Sequence, residues 1–198
     1  MSTTEERPRR DTRALLIMLA LLLVYTVADL GTKEWALDNL SRENAAAGAV
    51  CEPNEQGLRS FQRVPTQPVP FIEGVLRFNY AENCGAAFSM LREAPGWTRA
   101  LVFGVASIGA AIVLTVMFIR GSGGKMFAAA VPLILSGAIG NLTDRLRHGF
   151  VVDFIQVDPQ LFNYPVFNVA DIAIFVGVAL LLLEGGEKKK PATAPAPA

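Results

Sequence analysis

Apolar residues in this chain collect in unbroken runs rather than recurring at a helical or strand period, and the last two runs carry carboxylates and amides at their facing edges. Such runs are the signature of bilayer spans, not of a soluble core. They predict spans over about 14–31, 99–119, 126–145 and 166–184. The expected fold class is therefore a membrane, mainly α protein: a four-transmembrane-helix bundle with a small extracytoplasmic β-sheet domain. One membrane-embedded domain is expected over 1–198. Ionisable groups at the edge of a hydrocarbon-spanning run are costly and mark a functional site by default. This chain gathers them between Gly137 and Ile174: Asn141, Asp144 and Arg145 close one run, Asp153 lies in a short loop, and Asn168 and Asp171 open the next.

Several function classes drop out on composition. Lys+Arg 18 against Asp+Glu 18 gives no net charge, so nothing points to nucleic acid. Cys51, Cys84 and His148 are too few and too scattered for a zinc site. No glycine-rich phosphate loop follows a strand, so neither a metal nor an organic cofactor is expected.

Taken in order, Arg7, Arg9, Arg10 and Arg13 precede the first run. A cleaved signal peptide is the alternative there, but Asp29 and Lys33 stand where a small-residue cleavage site belongs. The run reads as a span whose outer end is polar, with Asp29 a structural carboxylate near Lys33. Residues of about 38–96 are soluble in character and β-rich. Leu37–Leu40 reads as a helix tail, 44–57 as a loop, and the proline-rich 64–70 as extended. Val75–Tyr80 alternates as a half-buried strand. Asn83-Cys84-Gly85-Ala86 reads, taken alone, as a strand-ending turn. Residues of about 188–198 form a disordered tail that opens on a basic anchor. The N-terminal arginines, Arg120 with Lys125, and Lys188 to Lys190 all fall on one side, which the positive-inside rule assigns to the cytoplasm. Arg145 and Arg147 oppose the rule and are expected to be held by local partners. Asn83, Asp144, Arg145, Asp153 and Asp171 then meet at the outer face.

Asp153 and Asp171 each sit among apolar neighbours. Burial raises a carboxyl pKa, and a second carboxylate nearby raises one of the pair further. Two such groups share a proton, so that one acts as general base on water while the other protonates a carbonyl oxygen. Helix capping is the bland alternative for either. Asn168 lies one turn before Asp171, on the same face. Arg145 can pair with Asp144, cap helix-end carbonyls, or bind a substrate carbonyl or a lipid headgroup.

With these residues in hand the chain resembles lipoprotein signal peptidase, or signal peptidase II. The resemblance rests on Asp29-x-x-x-Lys33, Asn83-x-Gly85-Ala86-Ala87-Phe88, Gly140-Asn141-x-x-Asp144-Arg145, Val151-Val152-Asp153-Phe154 and Phe167-Asn168-x-Ala170-Asp171, in the family's order over roughly residues 14–184. It implies an aspartic endopeptidase of the bacterial inner membrane, with both termini cytoplasmic and the active site at the periplasmic face. Its substrate is a prolipoprotein signal peptide, cut just before a diacylglyceryl-cysteine. It implies Asp153 and Asp171 as the catalytic dyad, and Asn83, Gly85, Ala86, Asn141, Asp144, Arg145, Asn168 and Ala170 as substrate-binding or supporting residues. Asp29 and Lys33 remain structural. Membrane lipids and globomycin-type inhibitors are the other implied partners, and a monomer is expected.

Two departures stand out. The stretch from Ala45 to Pro68 is longer than the family's loop, and Cys84 occupies a position where the family has a small or hydroxyl residue. A Cys51–Cys84 disulfide is open on the sequence alone, since their separation in space is unknown. A small cation or proton transporter is the competing reading of the polar cluster, although no inverted repeat or broken span supports it.

Overall fold

The computed structural model describes residues 10–48, 50–51, 61–85 and 96–187. Ala86 and the 188–198 tail lie outside these. Among the described residues are four long helices, α1 (Thr12–Leu40), α2 (Gly96–Ile119), α3 (Lys125–His148) and α4 (Val169–Glu187). Five short strands, β1 (Ser41–Glu43), β2 (Arg63–Pro65), β3 (Val69–Ile72), β4 (Leu76–Asn83) and β5 (Val151–Val157), lie beyond one end of the helices. α1 and α3 are long and apolar enough to cross a membrane, and Gly104–Ile119 of α2 is a shorter apolar stretch. Outward faces stay apolar: Leu19, Leu23, Val105, Ile112, Phe175 and Leu182 are all exposed.

Helices α3 and α4 approach closely because their contact faces are small. A Cβ on Gly137 would meet the Ala170 carbonyl oxygen at 2.5 Å and Ile174 at 2.6 Å, and one on Gly177 would meet Ile134 at 2.6 Å. Small residues at such crossings let backbones touch where no hydrophobic effect drives helices together. At one end, Arg10 donates to the carbonyls of Ser122 and Gly124, and Glu184 accepts from the amides of Gly124 and Phe127. The start of α1, the α2–α3 turn and the end of α4 are thus tied together.

At the other end β3, β4 and β5 form an antiparallel sheet in that order, and β1 and β2 form a separate antiparallel pair. Trp35 of α1 packs edge-on against Phe78 at 5.1 Å and Phe154 at 6.2 Å, seating the sheet on the last turns of α1. Glu82 accepts from the amides of Gln62 and Arg63 at 2.8 Å each, which joins β2 to β4.

Three sequence expectations change. The first span does not stop at about residue 31: one helix, α1, runs through it into the Leu37–Leu40 tail read from the sequence, so both Asp29 and Lys33 are inside a helix and buried. Their opposite charges, four residues apart, offset each other at 2.9 Å, which removes the reason for the helix to stop. The segment around Asp153 is not a loop but strand β5. Gly149, at φ 80°, ends α3 and turns the chain directly into it. α4 starts at Val169, not 166, because Asn168 caps it: the Asn168 side chain accepts from the Asp171 amide at 2.9 Å, and the Asp171 carboxylate accepts from the Asn168 amide at 3.3 Å. This is a reciprocal capping box built from an amide and an acid.

Candidate active site

Strand pairing is what brings the site together. In the β4–β5 ladder Ala81 faces Asp153 and Asn83 faces Val151, so the Asn83 side chain reaches the carboxylate of the neighbouring strand. Asn83 Nδ2 donates to Asp153 Oδ2 at 3.0 Å. From the start of α4, Asn168 Nδ2 donates to Asp153 Oδ1 at 2.6 Å. Each Asp153 oxygen therefore accepts one side-chain amide. Since Asn168 Oδ1 accepts the Asp171 amide, a single asparagine joins the two aspartates.

Asp171 is held by a second asparagine. Asn141 Nδ2 donates to Asp171 Oδ1 at 2.9 Å, while Asn141 Oδ1 accepts from Lys33 Nζ at 2.9 Å. Lysine can only donate, so Lys33 decides which way the Asn141 amide points, and thus that Asp171 meets a donor. Lys33 is 1% exposed and also pairs with Asp29 at 2.9 Å and Asp144 at 3.2 Å. These carboxylates have backbone duties too: Asp29 accepts from the Ala170 amide at 2.7 Å, and Asp144 from the Val152 amide at 2.9 Å. Asp29, Lys33 and Asp144 thus form a buried ionic hub that locks α1, α3, β5 and α4 in register around the aspartates. A buried charge with two partners and further hydrogen bonds tolerates burial, whereas a lone one does not.

Asp153 is 2% exposed. Burial, and next the charge of Asp171, push its pKa up to about 8, against the pull of the Asn83 and Asn168 hydrogen bonds and of Lys33. A carboxylic acid that keeps its proton at neutral pH beside a second aspartate is the arrangement acid–base catalysis requires. Arg145 donates to the carbonyls of Asn141 at 3.1 Å and Gly85 at 3.3 Å, so it braces the Asn83–Gly85 turn from α3. The Gly85 amide in turn donates to Asn83 Oδ1 at 3.1 Å.

Asn83, Gly85, Asn141, Asp144, Arg145, Asp153, Asn168, Ala170 and Asp171 are thus all gathered at one end of the helices, with Asp29 and Lys33 beneath them. Capping holds for Asp171 in addition to its place in the cluster. It does not hold for Asp153, which lies within a strand. Gly140 was not singled out as a site residue, yet a Cβ there would strike the Asp29 carboxylate. The available signal was its spacing of three from Gly137, which sets both on the face of α3 that meets α4. Among the described residues, no group of three or more His, Cys, Asp or Glu converges as metal ligands do.

A model of the family described as signal peptidase (SPase) II matches residues 21–185. Lipoprotein signal peptidases of Yersinia enterocolitica and Serratia proteamaculans are 35% and 38% identical, covering 85% and 84% of this chain and 85% of each relative. Among solved structures, a bacterial membrane enzyme determined in meso at 2.3 Å superposes with a TM-score of 0.67 at 22% identity, covering 95% of this chain and 99% of that one. At that identity the likeness carries the fold.

Proposed function

The chain belongs to the signal peptidase II family, and from that premise we propose that Asp153 and Asp171 are the catalytic dyad with which it removes signal peptides from prolipoproteins. The observation that carries the reading is that Asn168 holds both aspartates, its side chain joining the Asp153 carboxylate to the Asp171 backbone amide and its own backbone amide donating to the Asp171 carboxylate, with Asp153 the protonated member. Asp171 takes a proton from water as that water attacks the scissile carbonyl, and Asp153 gives its proton to the carbonyl oxygen. Collapse of the tetrahedral intermediate breaks the C–N bond, and a proton passes from the dyad to the leaving amine. Asn83 and Asn168 orient Asp153. Asn141, fixed by Lys33, orients Asp171. Arg145 and Gly85 border the scissile segment, Asp144 and Ala170 support the floor, and Ala86, outside the described residues, is assigned to substrate binding by its place in the family's motif.

All four helices span the cytoplasmic membrane of a bacterium in this reading, as a single domain over 1–198. The tie between the start of α1, the α2–α3 turn and the end of α4 supports a cytoplasmic position for both termini, together with the basic residues around that end. The dyad then faces the periplasm. At 29 residues α1 is about 43 Å long, more than the ~30 Å of hydrocarbon it crosses, so its last turns carry the sheet above the membrane. The scissile bond precedes a diacylglyceryl-cysteine whose acyl chains stay in lipid. Globomycin-type inhibitors compete at the same site, and the enzyme works as a monomer.

The experiment is cleavage of a diacylglyceryl-modified lipobox peptide by detergent-purified protein. Asp153→Asn and Asp171→Asn, each checked for folding by thermal melt, are expected to bind the peptide but lose about 10³-fold in turnover. Variants that cut as fast as wild type would end the dyad assignment.

A further inference from the structure

Cys51 and Cys84 form a disulfide with Cα atoms 5.5 Å apart, and its position bears directly on the site. Cys84 stands between Asn83, which donates to Asp153, and Gly85, whose carbonyl accepts from Arg145. Cys51 is 6% exposed and packs in a core cluster with Ala36, Leu37, Leu40, Tyr80, Phe150, Val152 and Phe154. One end of the bond is therefore seated in the core of the domain, and the other is in the turn that orients the catalytic acid. Beyond the β4–β5 ladder, which ends at Asn83 opposite Val151, this turn has no strand partner among the described residues. Cys51 belongs to the connection between β1 and β2. The connection thus contributes a covalent strut to the site.

We propose that the Cys51–Cys84 disulfide is a positioning device for the peptidase reaction: it holds the Asn83–Gly85 turn in register with Asp153 and Arg145, so that full turnover requires the oxidised pair. The inference rests on the dyad reading given above. Reduction by a dithiol is balanced. One thiolate attacks the Cys84 sulfur, its partner thiol closes the reagent into a cyclic disulfide, and two electrons and two protons leave Cys51 and Cys84 as thiols. The turn then loses its covalent tie to the core, keeping only the packing of Cys84 and the Arg145–Gly85 hydrogen bond, and Asn83 no longer holds its donor against Asp153 in every molecule. Small misplacements of such groups are expensive in rate, since reactivity depends on geometry held to fractions of an ångström.

The test compares oxidised and dithiothreitol-reduced wild type on the lipobox peptide, with Cys51→Ala/Cys84→Ala alongside. Reduction is expected to lower kcat about tenfold, with a smaller change in KM and recovery on reoxidation. The double variant should match the reduced enzyme and ignore the reductant. A purely structural bond would move the thermal melt alone, so the pH profile is the deciding readout. Asp153 is faced by Asn83 from β4, Lys33 from α1, Arg145 from α3, and Asn168 and Asp171 from α4. Asn83 is the one of these bonded directly to a disulfide cysteine, and its hydrogen bond favours the ionised carboxylate, whereas Arg145 meets the turn through the Gly85 carbonyl. Its loss should move the limb governed by Asp153 to higher pH. Equal kcat and an unmoved limb in the two redox states would overturn the proposal, as would alkylation of both cysteines in unreduced protein. An oxidised enzyme that never cuts would instead overturn the dyad reading itself.

Discussion

Carboxylates are buried at both ends of the helices, and they are partnered in opposite ways. At the end where the termini meet, Glu184 receives two backbone amides at 2.6 Å each, from Gly124 and Phe127 in the entry to α3. Backbone donors at a helix N-terminus are fixed in place, so they hold the carboxylate as a clamp between the two segments. At the far end, Asp153 is held by the side-chain amides of Asn83 and Asn168, and Asp171 by the Asn141 side-chain amide together with the Asn168 backbone amide. Asparagine donors orient a carboxylate without neutralising it, and a second acid nearby keeps a proton in play. The same chemical group is a clamp in one setting and, in the proposed reading, an acid–base catalyst in the other, and the partners distinguish them.

Lys33 offers the hardest test of that contrast, because it serves both purposes at the site end. Lys33→Met removes the cation from two buried carboxylates and the acceptor lock from Asn141. Breaking a buried ion pair from one side costs about 3–5 kcal/mol. A strongly lowered melting temperature is therefore expected, along with reduced turnover in whatever fraction remains folded. Full turnover in folded Lys33→Met would separate the hub from the chemistry. Glu184→Gln is the counterpart at the other end. It weakens two charge-assisted hydrogen bonds and should cost about 1–3 kcal/mol, read by melt, with kcat per folded molecule unchanged. A fall in kcat there would mean that the two ends are coupled through α3 and α4.

Much of this site was legible from the chain because its partners are local. Asn168 and Asp171 are one helical turn apart, as are Asn141 and Arg145, and i,i+3 and i,i+4 spacings translate directly into shared faces. Asp29 and Lys33 were also readable as a pair, but their charges suggested a helix end, whereas mutual neutralisation lets α1 continue past both. What was hidden is long-range. Val151–Val157 does not alternate, since its first four residues are all buried, so periodicity gave no strand. Only pairing with β4, some seventy residues earlier, makes it one. The disulfide was equally unreadable: its 33-residue separation says nothing about distance until the sheet and α1 have assembled.

Proton binding at the site end gives a smaller, graded effect. Asp153 titrates at about 8 in the folded protein against 3.8 for an unperturbed aspartate, so the native state holds an extra proton between those limits. The stability this group contributes is complete below the lower value, falls as pH rises through the interval, and is lost above the upper one. Melting temperature should therefore fall between about pH 5 and about pH 8, and Asp153→Asn should flatten that slope. Glu184→Gln should leave it intact. A slope that survives Asp153→Asn would assign the extra proton to another group.

The smallest effect is expected at the shortest ion pair among the described residues. Arg147 meets Glu34 at 2.6 Å, closer than Lys33 meets Asp144 at 3.2 Å, yet the exposed pair leaves its side chains 52% and 46% accessible whereas the buried one leaves 2% and 3%. Water screens the first pair and solvates each partner when the other is removed, so separation is a poor guide to its worth. Arg147→Ala is expected to change stability by less than about 1 kcal/mol and to leave turnover alone. Arg145, two residues earlier on the same helix, faces Gly85 and Asn141 instead. Its alanine variant should raise KM or lower kcat without a comparable loss in melting temperature. Two arginines in one turn of helix, indistinguishable by charge, are separated by which side of α3 they occupy. If Arg147→Ala proved as damaging as Lys33→Met, partner burial would not be what sorts the charges at this end of the molecule.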